Sequence, residues 1–194
     1  KFEEVLDEFS AFAQSKIADK HINNRVQTFV YLMSARINQH LITGTFNEGL
    51  ALIPYTEKKL ANYTLFLDRH RVLVFNYKIA TLYFGAGNYG KCVDYLRKII
   101  NDVVDLRQDL QCYARLLHLI AHYELGNTEI IEHLVKSVYR FMAKMENLSV
   151  VEEEILKYLQ NSFYISVNKL QPEFKKLLDQ LKKLETNRYE TRAF

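Results

Sequence analysis

Proline is almost missing from this chain: Pro54 and Pro172 are the only two in 194 residues, and glycine occurs six times. Five of those glycines fall at or beside turn signals, so the long stretches between them are open to helix. No apolar run approaches the roughly 20 residues a bilayer-crossing helix needs, which sets a membrane span aside. Neither sign of charge dominates. Lys and Arg number 26 against 23 Asp and Glu, for a net +3, and the two signs are interspersed, which argues against a nucleic-acid footprint. The basic clusters at Lys58-Lys59, between Asp68 and Arg71, and near the C-terminus are short and read as solvated helix faces. Cysteine is equally scarce. Cys92 and Cys112 lie 20 residues apart on apolar helical stretches with no secretory context, so buried free thiols and a reducing cytoplasm are the expectation. The acidic, amphipathic opening KFEEVLDEFSAFAQ is not a secretory signal, and the missing initiator methionine reads as a processed chain or a piece of a longer one.

Catalytic signatures are absent too. There is no phosphate-binding glycine loop, no nucleophile elbow and no Cys-X-X-Cys pair. His118 and His122 share a helix face, but the segment reads HLIAH, with Leu119 where a zinc-protease motif carries its glutamate, and no third ligand is near. Glu152-Glu153-Glu154 complements a helix N-terminus electrostatically. No metal, no cofactor and no enzymatic activity are therefore expected.

Apolar and aromatic residues are plentiful, and they are periodic. Hydrophobic residues make up 48% of the chain, which excludes disorder. With no tryptophan, the 13 tyrosines and 12 phenylalanines are expected to pack helices together, Phe46 and Tyr89 wedging between neighbouring hairpins. Helical spacing predicts nine helices: 3–18, 23–42, 46–66 kinked or broken after Ile53 by Pro54, 69–84, 89–103, 106–125, 128–145, 149–166 and 172–184. Asp68, Asn127 or Thr128, and Ser149 with Glu152 are the expected N-caps, Pro172 sits in a first turn, and the tail from Thr186 is polar. Gly44, Gly87 and Gly126 each separate two amphipathic stretches, 43 and 39 residues apart. A repeat of that length points to stacked helical hairpins, none of which can bury its apolar face alone.

In the middle hairpin Ala80, Tyr83, Gly87-Asn88-Tyr89 and Cys92 follow a small, aromatic, Gly-Asn-Tyr, small pattern. With these residues the stretch from about Val74 to Asn101 resembles a tetratricopeptide repeat. It departs at Asn76, where a large aromatic is usual, and at Val104, where a proline is usual. The flanking copies, Gly44-Thr45-Phe46 with Gly49 and Gly126-Asn127, are weaker, and all three exceed the standard unit of about 34 residues. The resemblance implies an all-α, right-handed superhelix of antiparallel hairpins in one domain, with repeats near 24–66, 69–103 and 106–145 and flanking helices 3–18, 149–166 and 172–184.

It also implies a concave groove lined by the first helix of each pair. Aligning Ile37, Ala80 and Ala121, with the third turn two residues shorter, puts Tyr31, Ser34, Asn38, Tyr77, Thr81, Arg115, His118 and His122 on that wall, alongside Val74. Hydrogen-bonding side chains there suit the unpaired backbone of a protein segment or extended peptide, with Tyr31 and Tyr77 adding apolar contact. Three functions follow as expectations: a non-catalytic interaction scaffold, a peptide-sensing domain of a larger bacterial transcription regulator, or a module that dimerises through its terminal helices. The last would use the stripe Phe174, Leu177, Leu178, Leu181 and Leu184 if nothing else covers it.

Overall fold

The computed structural model describes residues 2–102, 108–144, 150–162 and 169–184. Every regular element among them is helical. Eleven segments follow in order: α1 (Phe2–Ala13), α2 (Lys16–Asp19), α3 (Ile22–Thr43), α4 (Phe46–Leu50), α5 (Ile53–Asn62), α6 (Arg69–Gly85), α7 (Tyr89–Ile100), α8 (Gln108–Glu124), α9 (Thr128–Met142), α10 (Val150–Ser162) and α11 (Leu170–Leu184). Nine reach ten residues or more; α2 is a short piece split from a helix expected to run on to residue 18, and α4 is the part of the expected 46–66 helix that precedes its break. The capping box at Ser149 and the tail beyond Leu184 lie outside the described residues.

The first split is closed by local hydrogen bonds, and the second depends also on packing against α3 and α6. The first expected helix stops at Ala13, where Gln14 and Ser15 donate to the carbonyls of Ala11 and Phe12, and α2 then turns onto α3. The third expected helix, 46–66, breaks at Ala51-Leu52, before Ile53 rather than after it. Ala51 and Leu52 donate to Glu48 and Gly49 in tight three-residue bonds, and Pro54 falls in the first turn of α5, where its missing N–H costs nothing. A Cβ on Gly49 would stand 2.7 Å from Leu82 Cδ2 and 3.0 Å from His40 Cβ, so glycine lets α4 lie against α3 and α6. The Phe46 ring occupies the matching space over Gly85.

The three turn glycines adopt left-handed backbone, with φ of 71°, 74° and 72° at Gly44, Gly87 and Gly126. After α6 and after α8 the hydrogen bonds are the same. Asn88 N–H donates to Tyr83 O as Asn127 N–H does to His122 O, and Gly87 N–H donates to Phe84 O as Gly126 N–H does to Tyr123 O. The next helix opens at once. Asn88 Oδ1 accepts from Lys91 N–H at 3.2 Å in α7, whereas the Asn127 side chain turns elsewhere. Asp68 caps α6 as expected, its Oδ1 accepting from Arg71 N–H at 2.9 Å.

The chain forms two compact units, 1–110 and 111–194. In the first, Val26, Phe29, Val30, Met33 and Ile37 of α3 bury against Phe75 and Leu82 of α6 and against Tyr63 and Leu67, which follow α5. Phe29 stacks on Phe75 with ring centroids 5.6 Å apart. The α7 face Cys92, Val93, Tyr95, Leu96 and Ile99 closes onto α6. In the second unit Cys112 and Leu119 of α8 meet Ile131, Val135, Val138 and Met142 of α9. Phe174 of α11 joins that core beside Tyr123 and Tyr158, and half-buried Leu177, Leu181 and Leu184 share its stripe. Most of the α11 stripe is therefore turned inward, leaving Leu178 as its exposed member.

Candidate functional site

Helical spacing puts Gln27, Tyr31, Ser34 and Asn38 on one stripe of α3, and Arg71 and Lys78 on the facing stripe of α6. The two helices pack side by side, and their polar side chains cross between them at two levels, at Arg71 and at Lys78. Arg71 Nη1 donates to Gln27 Oε1 at 2.6 Å, and its guanidinium lies 5.9 Å from the centre of the Tyr31 ring. One end of the ladder is fixed by Asp68, whose Oδ2 is 3.1 Å from Arg71 Nε. Two turns further on, Lys78 Nζ donates to Asn38 Oδ1, and burial holds the Lys78 ammonium below its usual pKa.

Of the residues expected on a binding wall, Tyr31 and Asn38 are exposed, Tyr31 at 59%. Ser34, Tyr77 and Thr81 are half-buried, the last two on the α6 stripe next to the ladder. The Thr81 hydroxyl donates to its own helix, to Tyr77 O at 2.9 Å. Arg71, Lys78 and Gln27 were not singled out from the sequence. Their signal was present in the seven-residue step from Arg71 to Lys78, which matches the step from Tyr31 to Asn38. Arg71 had been grouped with a local charge cluster, and only helix pairing shows what it faces.

In the second unit Arg115 lies 4.5 Å over the Phe141 ring of α9, and His118 meets His122 edge to face at 4.5 Å. His122, expected on the open wall beside Asn38 and Thr81, is instead 5% exposed. Its Nδ1 sits 2.9 Å from Asn127 Nδ2, which donates to it and so leaves the ring proton on Nε2. The turn geometry explains the difference. Because the third turn has the hydrogen bonds of the middle one, it is not two residues shorter, and His122 falls level with Tyr83 and His40. His40 behaves alike, its Nδ1 standing 2.8 Å from the Thr45 hydroxyl. In both end copies a histidine four residues before the turn glycine thus binds the side chain just after it. Among the described residues, no three His, Cys, Asp or Glu side chains gather as a metal site would require.

A second polar cluster joins α5 to α7. Tyr95 OH donates to the Glu57 carboxylate, Lys98 Nζ lies 4.0 Å over the Tyr95 ring, and Tyr83 stacks on it at 5.6 Å. Burial, then Glu57, push both phenols above their usual pKa, so they stay neutral donors. With its groups paired to one another, this cluster clasps the two hairpins. Cys92 and Cys112 are free and buried, and burial pushes the Cys92 thiol up to about 12, which removes its reactivity at neutral pH. No described helix is long and apolar enough to cross a membrane. No protein-family model, no curated protein and no solved structure matches the chain.

Proposed function

We propose that this chain is a non-catalytic scaffold of tetratricopeptide-like hairpins, belonging to a right-handed superhelical array, and that the α3–α6 face binds an extended segment of a partner protein. The observation that carries this reading is the ladder itself. Tyr31 stands in solvent although its ring is held against Arg71, and Asn38 is paired at the surface with Lys78. A rigid, two-helix face with an exposed ring and two cations suits an extended chain, whose carbonyls and carboxylates accept hydrogen bonds while an apolar side chain rests on the ring. Val74, Tyr77 and Thr81 continue the surface along α6. The register that turns His122 inward shifts Arg115 and His118 by the same two residues, so neither belongs to this reading.

The test is a display of extended peptides of varied charge, probed with the wild-type chain and with a Tyr31→Ala, Lys78→Ala variant. Peptides carrying Asp or Glu beside an aliphatic residue are expected to bind the wild type and to lose roughly tenfold or more in affinity for the variant. Tyr31 is exposed and Lys78 half-buried, so the variant is expected to stay folded with only a small drop in melting temperature. Equal binding by the two proteins would refute the assignment of this face.

A further inference from the structure

The helix α1 is amphipathic twice over. One stripe, Glu3, Leu6, Ser10 and Ala13, faces α3: Leu6 is buried, Gln39 Nε2 donates to Glu3 at 3.3 Å, and Arg36 Nη2 donates to Ser10 Oγ at 3.1 Å. The next stripe, Phe2, Val5, Phe9 and Phe12, runs at the i, i+3, i+7, i+10 spacing of a helix-packing seam, with Phe9 half-buried and the other three exposed. Phe2 is 54% exposed, Val5 57% and Phe12 45%, and Phe9 stacks on Phe12 at 6.2 Å. Isolated surface hydrophobics are ordinary. Three large ones aligned on a single helix around half-buried Phe9 are not, because an aligned stripe fits another helix.

Charge decides which helix. Between Phe2 and Ala13 there are four carboxylates, Glu3, Glu4, Asp7 and Glu8, and no cation. Glu4 and Glu8 are one turn apart and border the apolar stripe on its solvent side. A second copy's α1 would bring like charge against like charge. An anionic lipid surface is disfavoured for the same reason, since helices that lie on membranes carry Lys and Arg on their polar face. We propose that the outward face of α1 is a docking surface for a basic amphipathic helix of another protein, with Phe2, Val5, Phe9 and Phe12 taking its apolar side chains and Glu4 and Glu8 pairing with its flanking cations. This surface is separate from the α3–α6 ladder, so the two readings stand or fall independently.

The test titrates the intact chain with a synthetic amphipathic helix of leucine and lysine, about 18 residues long, with a glutamate-for-lysine version of the same helix and with anionic vesicles. The lysine helix is expected to bind and the glutamate helix not to. Glu4→Lys with Glu8→Lys should weaken the lysine helix by roughly tenfold and reverse the preference between the two helices. Val5→Ser with Phe12→Ser should abolish binding. All four positions are exposed, and an unchanged melting temperature and circular dichroism spectrum would show that each variant folds. Equal binding of both helices, or binding indifferent to these substitutions, would overturn the proposal. So would self-association or vesicle binding that the α1 variants remove, since either would identify a different occupant.

Discussion

Ala80 and His122 are both buried, the first with no exposed surface and the second with almost none, yet they are buried for different reasons. Ala80 leaves room for the neighbouring helix. Ala80→Leu overfills that site and is expected to cost about 1 to 3 kcal/mol. His122 is buried and accepts from the exposed Asn127 side chain, so His122→Ala should cost about 0.5 to 1.5 kcal/mol from the lost hydrogen bond. Exposed Asn38, by contrast, should tolerate alanine almost without loss. Denaturant titration of the three variants checks this. If His122→Ala matched Asn38→Ala, the turn would not depend on the imidazole.

The helix α6 owes its start to a single side chain. Asp68 accepts from Arg71 N–H and pairs with the Arg71 guanidinium, which also reaches Gln27 and Tyr31 on α3. The cap therefore anchors one end of the ladder as well as the helix. Asp68→Ala is expected to cost about 1 kcal/mol from the lost cap, measured as a shift in denaturant midpoint. Asp68→Asn keeps a capping oxygen and should restore most of it. Failure of Asn to restore stability would place the Asp68 contribution in the ion pair rather than the cap. At this scale the sequence was readable: the Asp68 cap, the three left-handed glycines and the α3 face from Val26 to Ile37 all follow from local chemistry. The two helix breaks were read less well. Pro54 was visible, but where the chain bends depends on Gly49 lying against His40 and Leu82, which are distant in sequence or on another helix.

For the molecule as a whole, buried weak acids in both units set an alkaline limit. Burial, then Glu173 and Tyr123, raise Tyr158 in the second unit from 10.0 to about 12, and burial raises Cys92 in the first from 9.0 to about 12. Below about pH 8 both groups are protonated in the folded and unfolded chain alike. Above that the unfolded chain releases protons which the folded one retains, so folding stability should fall progressively between about pH 8 and 12. Thermal melts across that range, with phenolate absorbance followed in parallel, provide the check. A flat profile would mean these groups are open to solvent.

What the sequence determined by itself was the all-helical class, the places of the turns and the Asp68 cap, because these depend on neighbours within a few positions. Tyr31 and Asn38 were also identifiable, since their spacing puts them on one helix stripe. Only tertiary structure decided what they face. Gln27 meets Arg71 and Asn38 meets Lys78 across 44 and 40 residues of chain, so the ladder exists only once α3 and α6 pack. The same holds for His122. An alignment allowing a shorter turn placed it on the open wall, whereas equal turn hydrogen bonds in the folded chain rotate it inward onto Asn127. A helix residue's direction shifts by about 100° with each position, so a register error of two residues is enough to exchange surface for core.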